Sequence, residues 1–170
     1  MSTLRFDQFT KKIYINAAVE ELYRYWATTH GITSWFLREA VYKDPKGLAR
    51  EADDLIQTGD SYVWEWHNWE GQEKGKILQA NDTDFLEISF ANSKVAIQLE
   101  DAGKATLVIL KQHSIPLDEE SKLSIHYGCS NGWTFWLANL KAYVEHGILL
   151  NETKFDLTKI PLAGYEFVNM

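Results

Sequence analysis

The sequence predicts an α+β fold in which a curved antiparallel sheet of about six to seven strands packs against one long C-terminal helix. Three observations lead to this prediction. Residues 60–115 alternate apolar and polar side chains at a period of two, and short turns interrupt the run. A strand and two short helices precede these strands. A long amphipathic helix follows them at residues 130–147.

The N-terminal third predicts one strand and two short helices. Residues 9–16 alternate as a strand, and Asn16 is placed to cap a helix over residues 17–27. Glu20 and Glu21 fall in the first turns of that helix, where the helix dipole favours negative charge. Residues 28–31 interrupt the helix. The next segments are a helical piece at 32–36, a strand at 37–43 and a turn at 44–47.

Residues 48–58 allow two interpretations. Leu48, Ala52 and Leu55 fit one and a half helical turns, but the segment is equally compatible with a solvated loop. The acidic side chains in and after this segment are Glu51, Asp53, Asp54 and Asp60. Their spacing lacks the alternating ligands and the glycine of a calcium loop, so we expect them to lie on the solvated surface.

The middle of the chain predicts a meander of strands. After a strand that begins near residue 60, the strands are expected at 74–80, 85–91, 94–100 and 104–115, with an exposed connection at 116–122. Tyr62, Trp64 and Trp66 share one face of the first of these strands. The turns between strands are short, so neighbouring strands are expected to pair antiparallel.

The long helix predicted at residues 130–147 carries one continuous apolar face. Ser130 or Asn131 is expected to cap its start, and Gly147 its end. The face is formed by Trp133, Trp136, Leu137, Leu140, Tyr143 and Val144.

Length and composition indicate one domain spanning residues 1–170, with a core at about 6–147. Residues 148–170 are too apolar for a disordered end, so we expect this extension to pack on the body or on a second copy of the chain. The second alternative predicts a homodimer.

Charge and cysteine content exclude several classes of partner. The net charge of −7 disfavours nucleic acid. No stretch approaches the roughly 20 apolar residues of a membrane span, and Met1–Asp7 lacks the pattern of a signal peptide. The single cysteine, Cys129, forms no internal disulfide. These features predict a cytoplasmic protein.

No catalytic or cofactor motif is present, and no cofactor is expected. The histidines are scattered; His67, His113 and His126 lie near strand ends, where folding could bring them together, but no metal site is predicted.

Cys129 precedes the predicted helix, whose dipole could lower the thiol pKa, although a small buried thiol is the commoner outcome. Glu65 and Glu87 lie within strands. Either would have a raised pKa if it pointed into an apolar cavity, but solvent exposure is favoured for both.

Three stretches resemble a known family. Residues 13–23, the Ile32–Phe36 piece ending in Trp-Phe, and the helix from Gly132-Trp133 to Gly147 are similar to the START-like (SRPBCC) helix-grip superfamily. The closest likeness is to the branch of the activator of heat-shock-protein-90 ATPase C-terminal domain. The chain departs from the family in the turn before the third strand, here only Thr58-Gly59-Asp60, and in its longer C-terminal end. The resemblance implies a cavity between the sheet and the C-terminal helix.

The first functional prediction is a non-enzymatic module that holds a small hydrophobic or aromatic ligand in this cavity. The alternatives are a protein-interaction module resembling a chaperone ATPase activator, with a chaperone as partner, and a cyclase- or hydratase-type enzyme. A filled interior with an exposed apolar patch would favour the interaction module, and an acid–base pair inside the cavity would favour the enzyme. The predicted ligand-binding residues are Tyr62, Trp64, Trp66, Phe90, Ile97, Trp133, Trp136, Leu137 and Leu140.

Overall fold

The computed structural model describes residues 5–170, so the first part of the Met1–Asp7 segment lies outside the described residues. The N-terminal elements are strand β1 (Gln8–Ile15), helices α1 (Val19–Ala27) and α2 (Thr29–Trp35), and strand β2 (Glu39–Lys43). The next strands are β3 (Ser61–Glu65), β4 (Glu73–Ala80), β5 (Phe85–Phe90), β6 (Ser93–Asp101) and β7 (Thr106–His113). The long helix α3 runs from Glu119 to His146, and a short helix α4 spans Ala163–Glu166.

The sheet confirms the predicted antiparallel α+β architecture. Its order is β1-β7-β6-β5-β4-β3-β2, and every neighbouring pair is antiparallel. Strands β2 to β7 form the predicted meander, and β1 closes the far edge by pairing with β7. Side chains alternate along each strand, so every second one faces the helices. In β6 these are Val95, Ile97 and Leu99, which are buried.

The two short helices are correct in type, but their starts differ from the prediction. α1 begins at Val19 without a side-chain cap, and the Asn16 N–H instead donates to Glu145 Oε1 at 2.8 Å. α2 begins three residues earlier than expected. The hydroxyl of Thr28 accepts a hydrogen bond from the Gly31 N–H at 2.9 Å, so this one residue both separates and caps the helices.

The segment between β2 and β3 is an irregular loop, and most of its acidic side chains are exposed as expected. The prediction was wrong for Asp60, which has 0% exposure. Arg50 donates to both oxygens of the Asp60 carboxylate, at 2.7 and 2.8 Å, and the Gln57 N–H donates at 2.8 Å. This planar two-point pairing compensates for burial of the carboxylate and fixes the loop.

Helix α3 ends at Gly147 as predicted, with φ of 67°, but it begins eleven residues before Ser130. Asp118 caps it by accepting from the Ser121 N–H at 2.9 Å, so the end of the predicted exposed connection is already helical. Residues Lys122–Cys129 are π-helical. A π-helix repeats through i→i+5 hydrogen bonds, so its buried positions do not follow the 3.6-residue period used to locate the helix.

Two buried asparagines hold the C-terminal segment, residues 148–170, against the body. Asn139 in α3 donates to the Trp35 carbonyl and accepts from the Leu150 N–H, both at 2.6 Å. Asn68 donates to the Glu152 carbonyl at 2.8 Å and accepts from the Leu157 N–H at 3.0 Å. Leu157 and Ala163 are buried. Within residues 5–170, no helix is long and apolar enough to cross a membrane.

Candidate functional site

The space between the sheet and the middle of α3 is filled by aromatic rings. Trp133 packs against Phe36 at a centroid distance of 5.2 Å and against Phe90 at 5.7 Å, while Phe36 also contacts Trp136 at 5.0 Å. Trp64 lies 5.7 Å from Phe36. These interlocked rings leave the centre of the helix-grip packed rather than hollow.

Tyr62 and Trp64 in this aromatic core have their polar atoms paired inside the protein. The Tyr62 hydroxyl donates to the Ser89 carbonyl at 2.5 Å, and Trp64 Nε1 donates to the Tyr42 hydroxyl at 3.0 Å. Burial raises the pKa of Tyr62. The hydrogen-bond donors of Tyr62 and Trp64 are therefore committed to the core instead of being free to orient a ligand.

Trp133 Nε1 is paired in the same way, because it donates to Gln112 Oε1 at 3.0 Å. Gln112 in turn donates to the Ser93 hydroxyl at 2.8 Å. This chain of hydrogen bonds links α3 to β7 and to the start of β6, and it fixes the orientation of the Trp133 ring.

A cavity of about 750 Å³ lies beside the aromatic core, at one end of the groove between the sheet and α3. We call it the end cavity. On the sheet side it is lined by Trp66 and Trp69 after β3, Glu73 at the start of β4, and Phe90 with Ala91 at the β5–β6 turn. Three large rings therefore form this wall, with one carboxyl group among them.

The helix side of the end cavity is built largely from small residues. Gly128, Cys129, Gly132 and Ala138 contribute little side-chain volume, and Phe135 adds one ring. A Cβ atom built on Gly132 meets no heavy atom within 4 Å. The cavity thus exists partly because α3 presents little side-chain volume where a larger residue would protrude.

The third wall comes from the C-terminal segment. Gly164, Tyr165, Phe167, Val168 and Met170 line the end cavity together with the sheet and the helix. Their position follows from the Asn68 and Asn139 anchors, which hold the earlier part of the segment. The Asn169 side chain also donates to the Leu150 carbonyl at 3.1 Å and returns the end of the segment toward its beginning.

Two titratable groups in the cavity wall have perturbed pKa values. Burial raises the pKa of the Glu73 carboxyl, although a hydrogen bond from the Ala91 N–H to Oε1, at 2.9 Å, opposes the shift. Burial also raises the pKa of the Cys129 thiol to about 11, so the thiol is protonated at neutral pH. Cys129 lies within α3 and not before its N-terminus, which removes the proposed activation by the helix dipole.

Of the nine predicted ligand-binding residues, the structure places two, Trp66 and Phe90, in the wall of the end cavity. The other seven are buried in the core, and none of them lines the cavity: Tyr62, Trp64, Ile97, Trp133, Trp136, Leu137 and Leu140. Ligand contact by the nine stays a prediction.

Several cavity residues were absent from the predicted set. Glu73 shares a strand face with the buried Ile77, four residues on, and this alternation was the available signal. Gly132, Phe135 and Ala138 form a helix face adjacent to the Trp133–Trp136 face, at a spacing of three residues. No local pattern shows that residues 164–170 return to the same place.

The other sequence candidates lie apart from the end cavity. Glu65 accepts hydrogen bonds from Gln72 and Arg38, which lower its pKa, and Glu87 pairs with His113 at 2.8 Å. His126 Nε2 donates to the Arg5 carbonyl at 3.0 Å instead of approaching other histidines. Across the described residues, no three His, Cys, Asp or Glu side chains are grouped to hold a metal ion.

Two other depressions are smaller. One, of about 250 Å³, lies between α1 and α2 and contains the hydrogen bond between His30 and Asp53. The other, of about 400 Å³, lies beside the β5–β6 turn and is lined by Lys74 and Lys94. Both have more polar linings than the end cavity. The end cavity is therefore the best candidate for an apolar ligand.

The curved sheet, the short helices after β1 and the long closing helix define a START-like helix-grip protein. Within that class, the chain belongs to the family described as activator of Hsp90 ATPase homolog 1-like protein, which matches residues 16–145. The match ends before the C-terminal segment. The third wall of the end cavity therefore comes from residues beyond the family match.

Solved structures show the same fold at low sequence identity. A protein from Staphylococcus saprophyticus has a TM-score of 0.67 at 15% identity, covering 84% of this chain and 95% of that one. The Aha1 dimer from Colwellia psychrerythraea gives 0.64 at 17% identity, covering 82% and 97%. A protein from Cytophaga hutchinsonii gives 0.60 at 22% identity, covering 82% and 94%. Comparison with curated proteins finds no match.

Proposed function

We propose that this protein binds a small apolar or aromatic molecule in the end cavity. The observation that carries the proposal is a volume of about 750 Å³ walled on three sides by apolar and aromatic side chains. Small-molecule sites typically have about 300–1,000 Å³ and a few polar groups in an otherwise apolar wall. The end cavity has both properties, because Glu73 is the one Asp, Glu, Lys, Arg or His side chain in its described lining.

The same lining supports binding over catalysis. A cyclase or hydratase moves protons and needs an acid and a base that face the reacting atoms. Glu73 is accompanied in the wall by Cys129, whose thiol pKa of about 11 makes it a poor base at neutral pH. Burial of an apolar molecule against the rings supplies affinity without any chemical step.

The experiment is a binding screen of the purified protein by native mass spectrometry, with fatty acids and with one-ring and two-ring aromatic compounds. We expect one-to-one complexes with compounds small enough for the cavity. A Gly132→Leu variant, which fills part of the cavity, should lose these complexes, whereas Glu20→Leu on the exposed face of α1 should keep them. Failure of every compound to bind would overturn the proposal.

A second candidate function is association with another protein surface through the C-terminal segment. This segment leaves many large apolar side chains exposed, including Leu149, Phe155, Leu162 and Val168. An apolar surface of this kind is typical of interaction sites. A second copy of the chain is the simplest partner, and analytical ultracentrifugation should then show dimers that are lost on Phe155→Ser and Leu162→Ser substitution. A wild-type monomer at all concentrations would exclude the homodimer.

We also propose the cytoplasm as the site of action. The lone Cys129 is unpaired within residues 5–170 and lines the cavity, as suits a reducing compartment. Cell fractionation with antibody detection tests this assignment, and recovery of the protein outside the cytoplasm would contradict it.

A further inference from the structure

The end cavity contains an unbalanced negative charge. Glu73 is the single carboxyl side chain of its described lining, and no ion pair within residues 5–170 involves Glu73. Lys74 and Lys94 line the shallower depression that Glu73 also borders, yet neither forms an ion pair with it. A partly buried carboxylate without a cation is unfavourable for folding, and such groups concentrate at binding sites.

The geometry leaves one oxygen of Glu73 available to a ligand. Oε1 accepts the Ala91 N–H at 2.9 Å, which orients the carboxylate at the cavity wall. Oε2 accepts no hydrogen bond from any described residue. The nearby hydroxyl of Tyr62 in β3 is already bonded to the Ser89 carbonyl and donates no hydrogen bond to Glu73.

The surrounding rings favour the same kind of ligand group. Trp66, Trp69 and Phe90 line the same sheet-side wall as Glu73, and Phe135, Tyr165 and Phe167 line the rest of the cavity. The faces of aromatic rings carry negative electrostatic potential and attract cations, most strongly when water is excluded. The carboxylate and the ring faces therefore both favour a positively charged ligand group.

We propose that the ligand of the end cavity is an apolar or aromatic amine whose protonated nitrogen donates a hydrogen bond to Glu73. This inference rests on the proposed function and names the chemical class of its ligand. The ammonium group supplies the missing counter-charge, and the apolar body of the molecule occupies the remaining volume between the rings. An anionic ligand of the same shape is repelled.

A purely structural role for Glu73 is the main competing explanation. Ala91 has φ of 45°, a conformation that alanine adopts at a cost, and the Glu73 carboxylate holds its N–H. A Glu73→Gln substitution separates the two roles, because the glutamine side-chain oxygen can still accept that N–H while the charge is removed. Circular dichroism verifies the fold of the variant.

The test compares three naphthalene derivatives of similar size by isothermal titration calorimetry. They are 1-naphthylmethylamine, the neutral 1-naphthalenemethanol and the anionic 1-naphthoate. We expect the wild-type protein to bind the amine about tenfold or more tighter than the alcohol, as suits a charged hydrogen bond in a partly buried site. The carboxylate should bind most weakly. In Glu73→Gln the amine should lose its advantage while the alcohol keeps its affinity.

The outcomes distinguish this inference from the proposed function. Equal wild-type affinity for the amine and the alcohol, or tighter binding of the carboxylate, would overturn the inference and leave the binding site intact. An amine preference that persists in Glu73→Gln would overturn it as well. If none of the three compounds binds, the inference fails, and the proposed function fails with it only if the fatty acids and one-ring compounds of the wider screen also do not bind. The wild-type comparison is decisive even if the variant does not fold.

Discussion

Replacement of Gly132 by leucine should make the protein more stable while abolishing binding in the end cavity. Gly132 lies inside α3, where leucine in place of glycine gains about 0.8 kcal/mol of helix propensity. Its Cβ direction is free of heavy atoms within 4 Å. The new side chain therefore enters the cavity without a clash, and its partial burial contributes about 1 kcal/mol more. The free energy of unfolding should rise by about 1–2 kcal/mol.

Thermal unfolding by circular dichroism measures the gain in stability of Gly132→Leu, and titration with 1-naphthalenemethanol measures its loss of binding. For a chain of this length the expected rise in Tm is about 2–8 °C. Gly132→Ala is the graded control, because it gains helix propensity but adds only a methyl group to the cavity. A Gly132→Leu protein that binds the alcohol with unchanged affinity would refute the assignment of the site, and a lowered Tm would refute the account of the helix wall.

Three further predictions concern individual contacts. Ala91→Gly should stabilise the protein by about 1 kcal/mol in urea denaturation, since glycine adopts the φ of 45° without penalty; an unchanged or lower stability would contradict this. Asp60→Ala should lower the free energy of unfolding by about 3 kcal/mol, because Arg50 loses its partner. As a control, replacement of the exposed Glu51 by alanine should change stability by less than about 0.5 kcal/mol. Similar effects of the two substitutions would be inconsistent with the buried pair. Burial raises the pKa of Glu73, so its charged form destabilises the fold above that pKa, and the wild type regains this stability as pH falls. Glu73→Gln should therefore be more stable than wild type at pH 7 by a margin that shrinks at pH 4, and a margin independent of pH would exclude the assignment.

Elements with strong local periodicity were predictable from the sequence. Strands β3 to β7 follow the period of two, and the end of α3 follows from the left-handed Gly147. The start of α3 was not predictable in this way, because residues 122–129 wind as a π-helix. The burial of Asp60 was equally hidden, since it depends on the Arg50 side chain ten residues away.

The site was harder to predict than the fold because its walls are distant in sequence. The Trp133–Trp136 face of α3 indicated correctly where the helix packs on the sheet. A ligand needs space, however, and the space lies on the adjacent face, where Gly132 has no side chain and Ala138 has only a methyl group. The third wall depends on Asn68 and Asn139, whose hydrogen bonds to the C-terminal segment have no signature in local sequence.

We expect a ligand to occupy the end cavity and not the packed aromatic core. Alanine methyl NMR during titration with 1-naphthylmethylamine tests it directly, because Ala91 and Ala138 line the cavity while Ala27 and Ala40 are buried elsewhere in the core. We expect large ring-current shifts for the Ala91 and Ala138 methyl groups and small ones for Ala27 and Ala40. Shifts concentrated at Ala27 and Ala40, or absent from all four methyl groups, would contradict it.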